Sequence, residues 1–505
     1  MEQPKKAMEK KSLFAIALVA LIAVGGVLVY FMLNTSPKQK YFEAEMASYN
    51  VMEDAMKTRF TSEVKWDEMS RKYPMETELE LSGEMNIPFD EGSFDDLAMS
   101  QIINNAKLNG TLQTDMDKKI ITADLSANVA GMTFKDFTFL MDAEKLQVGM
   151  PFIDDVLQVK AKDLEELLRE EGELGEDEEL DFERFFEPGF ITEEDRKHFQ
   201  KEYIDFLYNE ISDEAFTEEK DTVSVDGKDV KANKITFHLD EKEFQRLLKE
   251  TLEKLQKDET LRRIIKDSII KDEFIGSSSE MLDFDADLND MFTEMINSID
   301  SIKLPDGMKS MIWINKDIIV KRDFKMTTLD EFDEKITISI EGTQSLTKDK
   351  QTFDYAFKGS DALGEGGINI KGDLSLEKDK VKDHVTFAVD DMTMLEYKSD
   401  ETLTKKDHKF EREIIASDGF ETFKIGWNGD SKFEGDTIKS DYSFAFNTSG
   451  LDLFTLNLVT DGKKIKKVEN VHDGKVKDIG GMDEDELEEY FSELEWQFNE
   501  WMFDF

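Results

Sequence analysis

The stretch Lys335–Ile336–Thr337–Ile338–Ser339–Ile340 sets three isoleucines on one side of the chain and a lysine, a threonine and a serine on the other. A period of two is what a β-strand with one buried and one wet face requires. The alternation returns in Phe353, Tyr355 and Phe357, and in Val385, Phe387 and Val389. It returns again in Phe423, Ile425 and Trp427, then in Tyr442, Phe444 and Phe446. Turn dipeptides fall at Glu341–Gly342, Asp418–Gly419, Asn428–Gly429 and Asp461–Gly462. From Trp313 to about Val471 the pattern predicts an antiparallel meander of roughly eight to ten strands.

Such a meander has more apolar surface than one closing helix covers, so it must curve, stack or leave a lined cavity. The expected pocket lining is Phe353, Tyr355, Phe357, Phe387, Phe423, Trp427, Tyr442, Phe444 and Phe446. The closing helix is Asp483 to Phe505, with Leu487, Tyr490, Phe491, Leu494, Phe498 and Trp501 at helical spacing. The open face of the meander is its nearest docking place.

Working towards the N-terminus, a hairpin is expected at about 221–239 with its turn at Asp226–Gly227. Asp240 and Glu243 then start a helix with Phe244, Leu247, Leu248, Thr251, Leu252 and Leu255 on one face. Residues 163–216 read as helical and acidic, broken at Gly172 to Asp181. Period-two runs around Leu79, Leu108, Ile121 and Phe134 predict four or so earlier strands. Phe42, Met46, Tyr49, Met52, Met56 and Phe60 predict the apolar face of a helix over 38–72, ended by Pro74.

Ahead of it lies Leu13–Leu33, an uncharged run preceded by Lys5, Lys6, Lys10 and Lys11. Twenty-one residues at a 1.5 Å rise reach about 30 Å, the thickness of a bilayer core. The run predicts one membrane span, an uncleaved signal-anchor, with a cytoplasmic N-terminus and the bulk outside.

The fold class expected is therefore α+β: an N-terminal transmembrane helix, then antiparallel curved β-sheets, as half-barrel or sandwich, covered by amphipathic helices. The divisions expected are a cytoplasmic 1–12, the span 13–33, a juxtamembrane helix 34–74, a first α+β domain 75–310, the meander 311–471 and the closing helix 472–505.

A net charge of −49 repels nucleic acid and excludes it as a partner of most of the surface. With no cysteine the fold is held without disulfides, and 38 phenylalanines supply a core large enough to do so.

Catalytic constellations are missing from the sequence. His198, His238, His384, His408 and His472 form no zinc motif, and no nucleophile elbow or phosphate-binding loop occurs. Ser345–Leu346–Thr347–Lys348 matches a penicillin-recognising pattern without its partner motifs. Asp283, Asp285, Asp287 and Glu294 have the spacing of a calcium loop, but Leu288 stands where glycine is required. An acidic cap for the helix Leu288–Ile299 explains these carboxylates better. No cofactor is implied.

Lys234–Leu255, a strand running into an amphipathic helix, and Met311–Ile312–Trp313–Ile314–Asn315–Lys316–Asp317 resemble parts of the lipoprotein-carrier and mycobacterial lipid-carrier type of envelope protein. That resemblance implies a curved antiparallel sheet with helices on its concave side. The lysine-flanked run, Ser36–Pro37–Lys38 and Met482–Asp483–Glu484–Asp485–Glu486–Leu487 resemble uncharacterised single-pass proteins of Bacillus-type Gram-positive bacteria, a resemblance that implies no site residues.

The function expected is a membrane-tethered, extracytoplasmic, non-enzymatic protein binding a hydrophobic or lipid-like envelope ligand in a curved sheet. The alternative is a structural or interaction module whose acidic surface meets basic envelope proteins or wall-associated cations.

Overall fold

The computed structural model describes residues 36–86, 100–129, 131–170, 182–186, 192–265, 284–329, 333–362, 364–390, 392–417, 419, 421–448, 451–472 and 474–503. Two helices come first, α1 (Pro37–Arg59) and α2 (Thr61–Lys72). Six strands follow: β1 (Met75–Met85), β2 (Lys107–Asp115), β3 (Ile120–Val129), β4 (Met132–Asp142), β5 (Lys145–Gly149) and β6 (Asp155–Lys160). A helical stretch holds α3 (Ala161–Glu170), α4 (Glu193–Phe199) and α5 (Asp205–Glu210). The hairpin β7 (Phe216–Val225) and β8 (Lys228–Leu239) leads into α6 (Glu241–Gln256), and α7 (Phe284–Ser298) comes next.

The meander has eleven strands. They are β9 (Met308–Asn315), β10 (Ile318–Leu329), β11 (Lys335–Leu346), β12 (Lys350–Ser360), β13 (Glu365–Glu377) and β14 (Lys380–Val389). After them run β15 (Met392–Leu403), β16 (Asp407–Ser417), β17 (Thr422–Glu434), β18 (Thr437–Thr448) and β19 (Leu451–Lys464). A four-residue strand, β20 (Lys475–Asp478), and the helix α8 (Glu484–Phe503) close the chain.

All of these strands belong to a single 20-stranded sheet. Strand β1 pairs with β19 on one side and β2 on the other, which welds the first strands onto the end of the meander. Strand β8 pairs with β9, which carries the sheet from the hairpin into the meander. From edge to edge the order is β20, β6 down to β1, then β19 down to β7, antiparallel throughout except β20 with β6. The two edges are blunted. Strand β7 exposes Glu218, Glu219, Lys220 and Asp221, and β20 is short, so neither invites further strands.

The α+β expectation with a leading membrane helix is corrected by this architecture, which is mainly β and built on one sheet. Among the described residues no helix is long and apolar enough to cross a membrane. The expected span Leu13–Leu33, the segment 1–12 and the acidic break at 172–181 lie outside the described residues.

Three of the four expected turns are also corrected. Gly342, Gly429 and Gly462 sit inside β11, β17 and β19. A Cβ on Gly429 would lie 2.5 Å from the Phe410 and Tyr442 rings, so glycine there lets cross-strand aromatics lie flat on the sheet. The Asp226–Gly227 turn holds, with positive φ at both residues (49° and 73°), the geometry of a tight hairpin.

One face of the sheet carries the main core. Ile235, Ile312 and Ile319 are fully buried there under α1, α6 and α7. Helix α6 buries Phe244, Leu247, Leu248, Thr251, Leu252 and Leu255, as its spacing required, and the Asp240 side chain caps it by accepting from the Glu243 amide. Helix α1 departs from its expected face. It buries Tyr41, Ala44, Ser48, Ala55 and Arg59, while Tyr49 is exposed. Helix α8 docks at the β4–β6 end rather than on the meander. There Tyr490 and Leu494 meet Leu157, and Phe498 and Trp501 meet Phe152.

Candidate docking face and the ionic clamp beside it

The register sorts the sequence-derived pocket residues onto the helix-bearing face. Phe353, Tyr355 and Phe357 oppose Gly372, Ile370 and Ile368. Ile370 opposes Phe387, and Phe387 opposes Leu395. Trp427 opposes Phe444, Gly429 opposes Tyr442, and Ile425 opposes Phe446. One unbroken row crosses six strands as Val385, Tyr397, Ile414, Ile425, Phe446 and Phe454. All nine expected lining residues therefore share one surface. Tyr355 and Phe357 pack against the main core. Trp427 stacks on Phe444 at 5.4 Å and meets Phe410 edge-on at 5.1 Å.

Beyond the reach of the helices this face is open. Leu395 is 42%, Ile414 41%, Phe423 51%, Ile425 40% and Phe446 40% exposed. Large apolar side chains this exposed and this contiguous mark an interaction surface on a folded protein.

The end of the face nearest α1 and α2 is ionic. Arg59, 2% exposed, donates from Nε and Nη2 to the two carboxylate oxygens of Asp383 at 3.1 Å each, and from Nη2 to Gln351 Oε1 at 3.2 Å. One strand pair further on, Glu401 accepts from Arg412 Nε at 2.8 Å and lies 2.7 Å from His408 Nε2. His408 Nδ1 bonds Glu63 of α2. The Arg412 guanidinium lies 4.2 Å over Phe410 and 4.8 Å over Trp427. Burial opposes the charge on His408, but hydrogen bonds to Glu401 and Glu63 outweigh it and lift its pKa to about 9. Burial likewise opposes the Glu401 carboxylate, and bonds to His408 and Arg412 hold it at about 2. The cluster is therefore charged at neutral pH and balanced within itself.

Further along α1, Tyr41 bonds Ser310 at 2.8 Å and Ser48 Oγ accepts from the Ile319 amide at 3.0 Å. Glu45 receives Arg322 Nη1 at 2.7 Å. Burial, then the Glu45 charge, pushes the Tyr41 hydroxyl up to about 12. No local pattern announces this polar line, because each partner is more than 260 residues away from its helix residue.

Over β12–β19 the opposite face of the sheet is wet and paired, whereas over β7–β10 it buries Val223, Val225, Ala232, Trp313 and Val320. Lys350–Asp373, Lys382–Asp400, Lys409–Asp430 and Lys439–Asp461 bridge neighbouring strands. A 320 Å³ depression on this face is floored by Gly426 and Ala445. A 640 Å³ cleft lies among the helices, beside His198, Tyr203 and Asp258. Asp258 also accepts from the Leu261 amide at 3.1 Å, capping the helical segment 259–265 that follows it.

Of the calcium-like quartet, Asp283 lies outside the described residues and Asp285 and Asp287 fall in the first turn of α7. Glu294 is exposed. Among the described residues no three carboxylate or imidazole groups are placed to share a metal ion.

These findings correct the functional expectation in both its forms. The apolar residues make an open face on one long sheet rather than a lined pocket, and no described helix tethers that sheet to a membrane. The acidic alternative fails on the wet face, where carboxylates are interleaved with lysines across strands. The single-pass cell-membrane placement is withdrawn with them.

No family model matches the chain, and no curated protein matches it. Among solved structures, OccK1 (OpdK) of Pseudomonas aeruginosa is 8% identical over 78% of this chain and 98% of its own, with a TM-score of 0.20. OmpT, an outer membrane protein of Vibrio cholerae, is 7% identical over 78% and 96%, with a TM-score of 0.15. OpdQ of Pseudomonas aeruginosa is 6% identical over 78% and 97%, with a TM-score of 0.18. Likeness at this level carries no argument about what the chain does.

Proposed function

We propose that this protein is a non-enzymatic scaffold that docks an amphipathic helix of another polypeptide on the open part of its apolar sheet face. The observation that carries the reading is the continuity of that face. The sheet surface that α1, α6 and α7 cover over β8–β11 runs on through β12–β19, where Ile414, Ile425 and Phe446 stand 40–41% exposed. The covered part displays the element that suits this surface: a helix with an apolar stripe on the sheet and its charged side in water.

The test uses the full chain and a labelled peptide with the sequence of α6, Glu241–Gln256, whose four acids and four bases cancel. Saturable binding is expected, weakened at least about tenfold by Ile414→Asp or Phe446→Asp. Binding that ignores both substitutions, or no binding, overturns the reading.

A further inference from the structure

The sheet takes one side of α1 and leaves the apolar stripe beside it. Tyr41, Ala44, Ser48, Ala55 and Arg59 are buried. Phe42, Met46, Tyr49, Met52, Met56 and Phe60 lie about a quarter-turn further round, as the helical repeat places them. Two contacts show which way that stripe points. At its start Phe42 meets Tyr208 of α5 edge-on at 5.2 Å. At its end the Phe60 ring lies 5.4 Å from the Arg412 guanidinium. Arg412 opposes Trp427 and stands two residues from Ile414 on the same strand face, so this end looks onto the open part of the sheet. Between the two ends Met56 is partly exposed and Tyr49 is 44% exposed. The first half of the corner between α1 and the sheet is already filled by a helix. Helices α4 and α5, joined by a π-helical turn at Gln200–Ile204, run beside α1 from Glu53, which Arg196 reaches at 4.0 Å, to Phe42. The same stretch packs Phe199, Tyr203 and Leu207 onto the main core.

We infer that the partner helix beds in the rest of this corner, with β14–β18 as its floor and Met56 and Phe60 as its wall. Touching two surfaces at once, it carries apolar residues around about half its circumference. The inference rests on the docking reading above. A helix lying on a sheet alone needs one apolar stripe of about 100°. A helix in a corner needs a second beside it, and α4 with α5 shows the composition that results. Tyr208 turns to α1, while Phe199, Tyr203 and Leu207 turn to the core. The wall suits this use. Methionine is unbranched and polarisable, so Met52 and Met56 can repack around partner side chains of differing shape. The corner also gives a use to the stripe that the sheet leaves aside.

Binding of two labelled peptides to the full chain tests the corner. One has the α6 sequence, with its single stripe. The other carries Gln245→Leu and Gln256→Leu, which widen that stripe along one flank. The widened peptide is expected to bind the wild type at least about tenfold more tightly than the first. Met56→Asp in the protein is expected to remove most of that gain, and Met56→Ala, milder for the fold, part of it. Equal affinity of the two peptides for the wild type overturns the corner, and so does a gain that survives both substitutions. A gain that survives Met56→Asp but is lost with Ile414→Asp places the helix on the sheet alone, so the docking reading stands and this inference falls. If neither peptide binds, both fall together.

Discussion

Arg59 and Asp383, 324 residues apart in sequence, form a two-pronged ion pair with both side chains under 8% exposed. It pins the end of α1 to the first residues of β14, and Gln351 of β12 takes the remaining direction of the guanidinium. A buried pair adds little over well-packed apolar residues of the same size, but an orphaned member costs heavily. Its value here is placement, since it fixes where the end of the helix sits on the sheet.

Arg59→Ala leaves the Asp383 carboxylate buried without its partner and is expected to destabilise the fold by about 3–5 kcal/mol. The double change Arg59→Met with Asp383→Leu removes both charges and is expected to recover most of that loss. Denaturant midpoints for the single and double variants make the comparison. If the double variant is as unstable as the sum of the singles, the pair is not acting as a coupled unit.

Much of the architecture was legible because short-range chemistry writes it: period-two runs for the strands, the Asp240 cap for α6, and Asp226–Gly227 for the hairpin. The clamp was not, because Arg59, Asp383, Glu63 and His408 meet only after β12–β16 are registered side by side. The same distance hid the buried side of α1. Its larger apolar residues, Phe42 to Phe60, suggested one stripe, whereas its polar contacts with β9, β10 and β14 chose another. The glycines misled for a related reason. Asn428–Gly429 carries a turn signature, but the aromatic rings of Phe410 and Tyr442 give that glycine a place inside a strand.

Two histidines bracket the pH range of stability from opposite sides. His408 has its pKa raised from 6.5 to about 9, so the folded state holds that proton more tightly than the unfolded chain. Its contribution is complete below pH 6.5 and is lost as pH rises through about 9. His472, which lies 3.1 Å from Thr138 Oγ1, has its pKa lowered from 6.5 by burial. Its contribution is present above pH 6.5 and is lost as pH falls below it. Melting temperature against pH is expected to show a neutral plateau with two descending arms. His408→Gln flattens the alkaline arm and His472→Gln the acid arm. Wild-type slopes retained in both variants would show that other groups set the profile.

The open and covered parts of the apolar face differ in what they contribute to folding. Ile312 is fully buried beneath the helices, whereas Ile414 on the same face is 41% exposed. Truncating a buried isoleucine loses its transfer energy and leaves a cavity, so Ile312→Ala is expected to cost about 2–5 kcal/mol. Ile414 has little burial to lose, and Ile414→Ala is expected to cost under about 1 kcal/mol. Urea unfolding of the two variants measures both. A large loss at Ile414 would mean that something covers it in the free protein and that the face is not available for docking. A small loss there, with a large one at Ile312, leaves the exposed row Ile414–Ile425–Phe446 kept for contact rather than for stability.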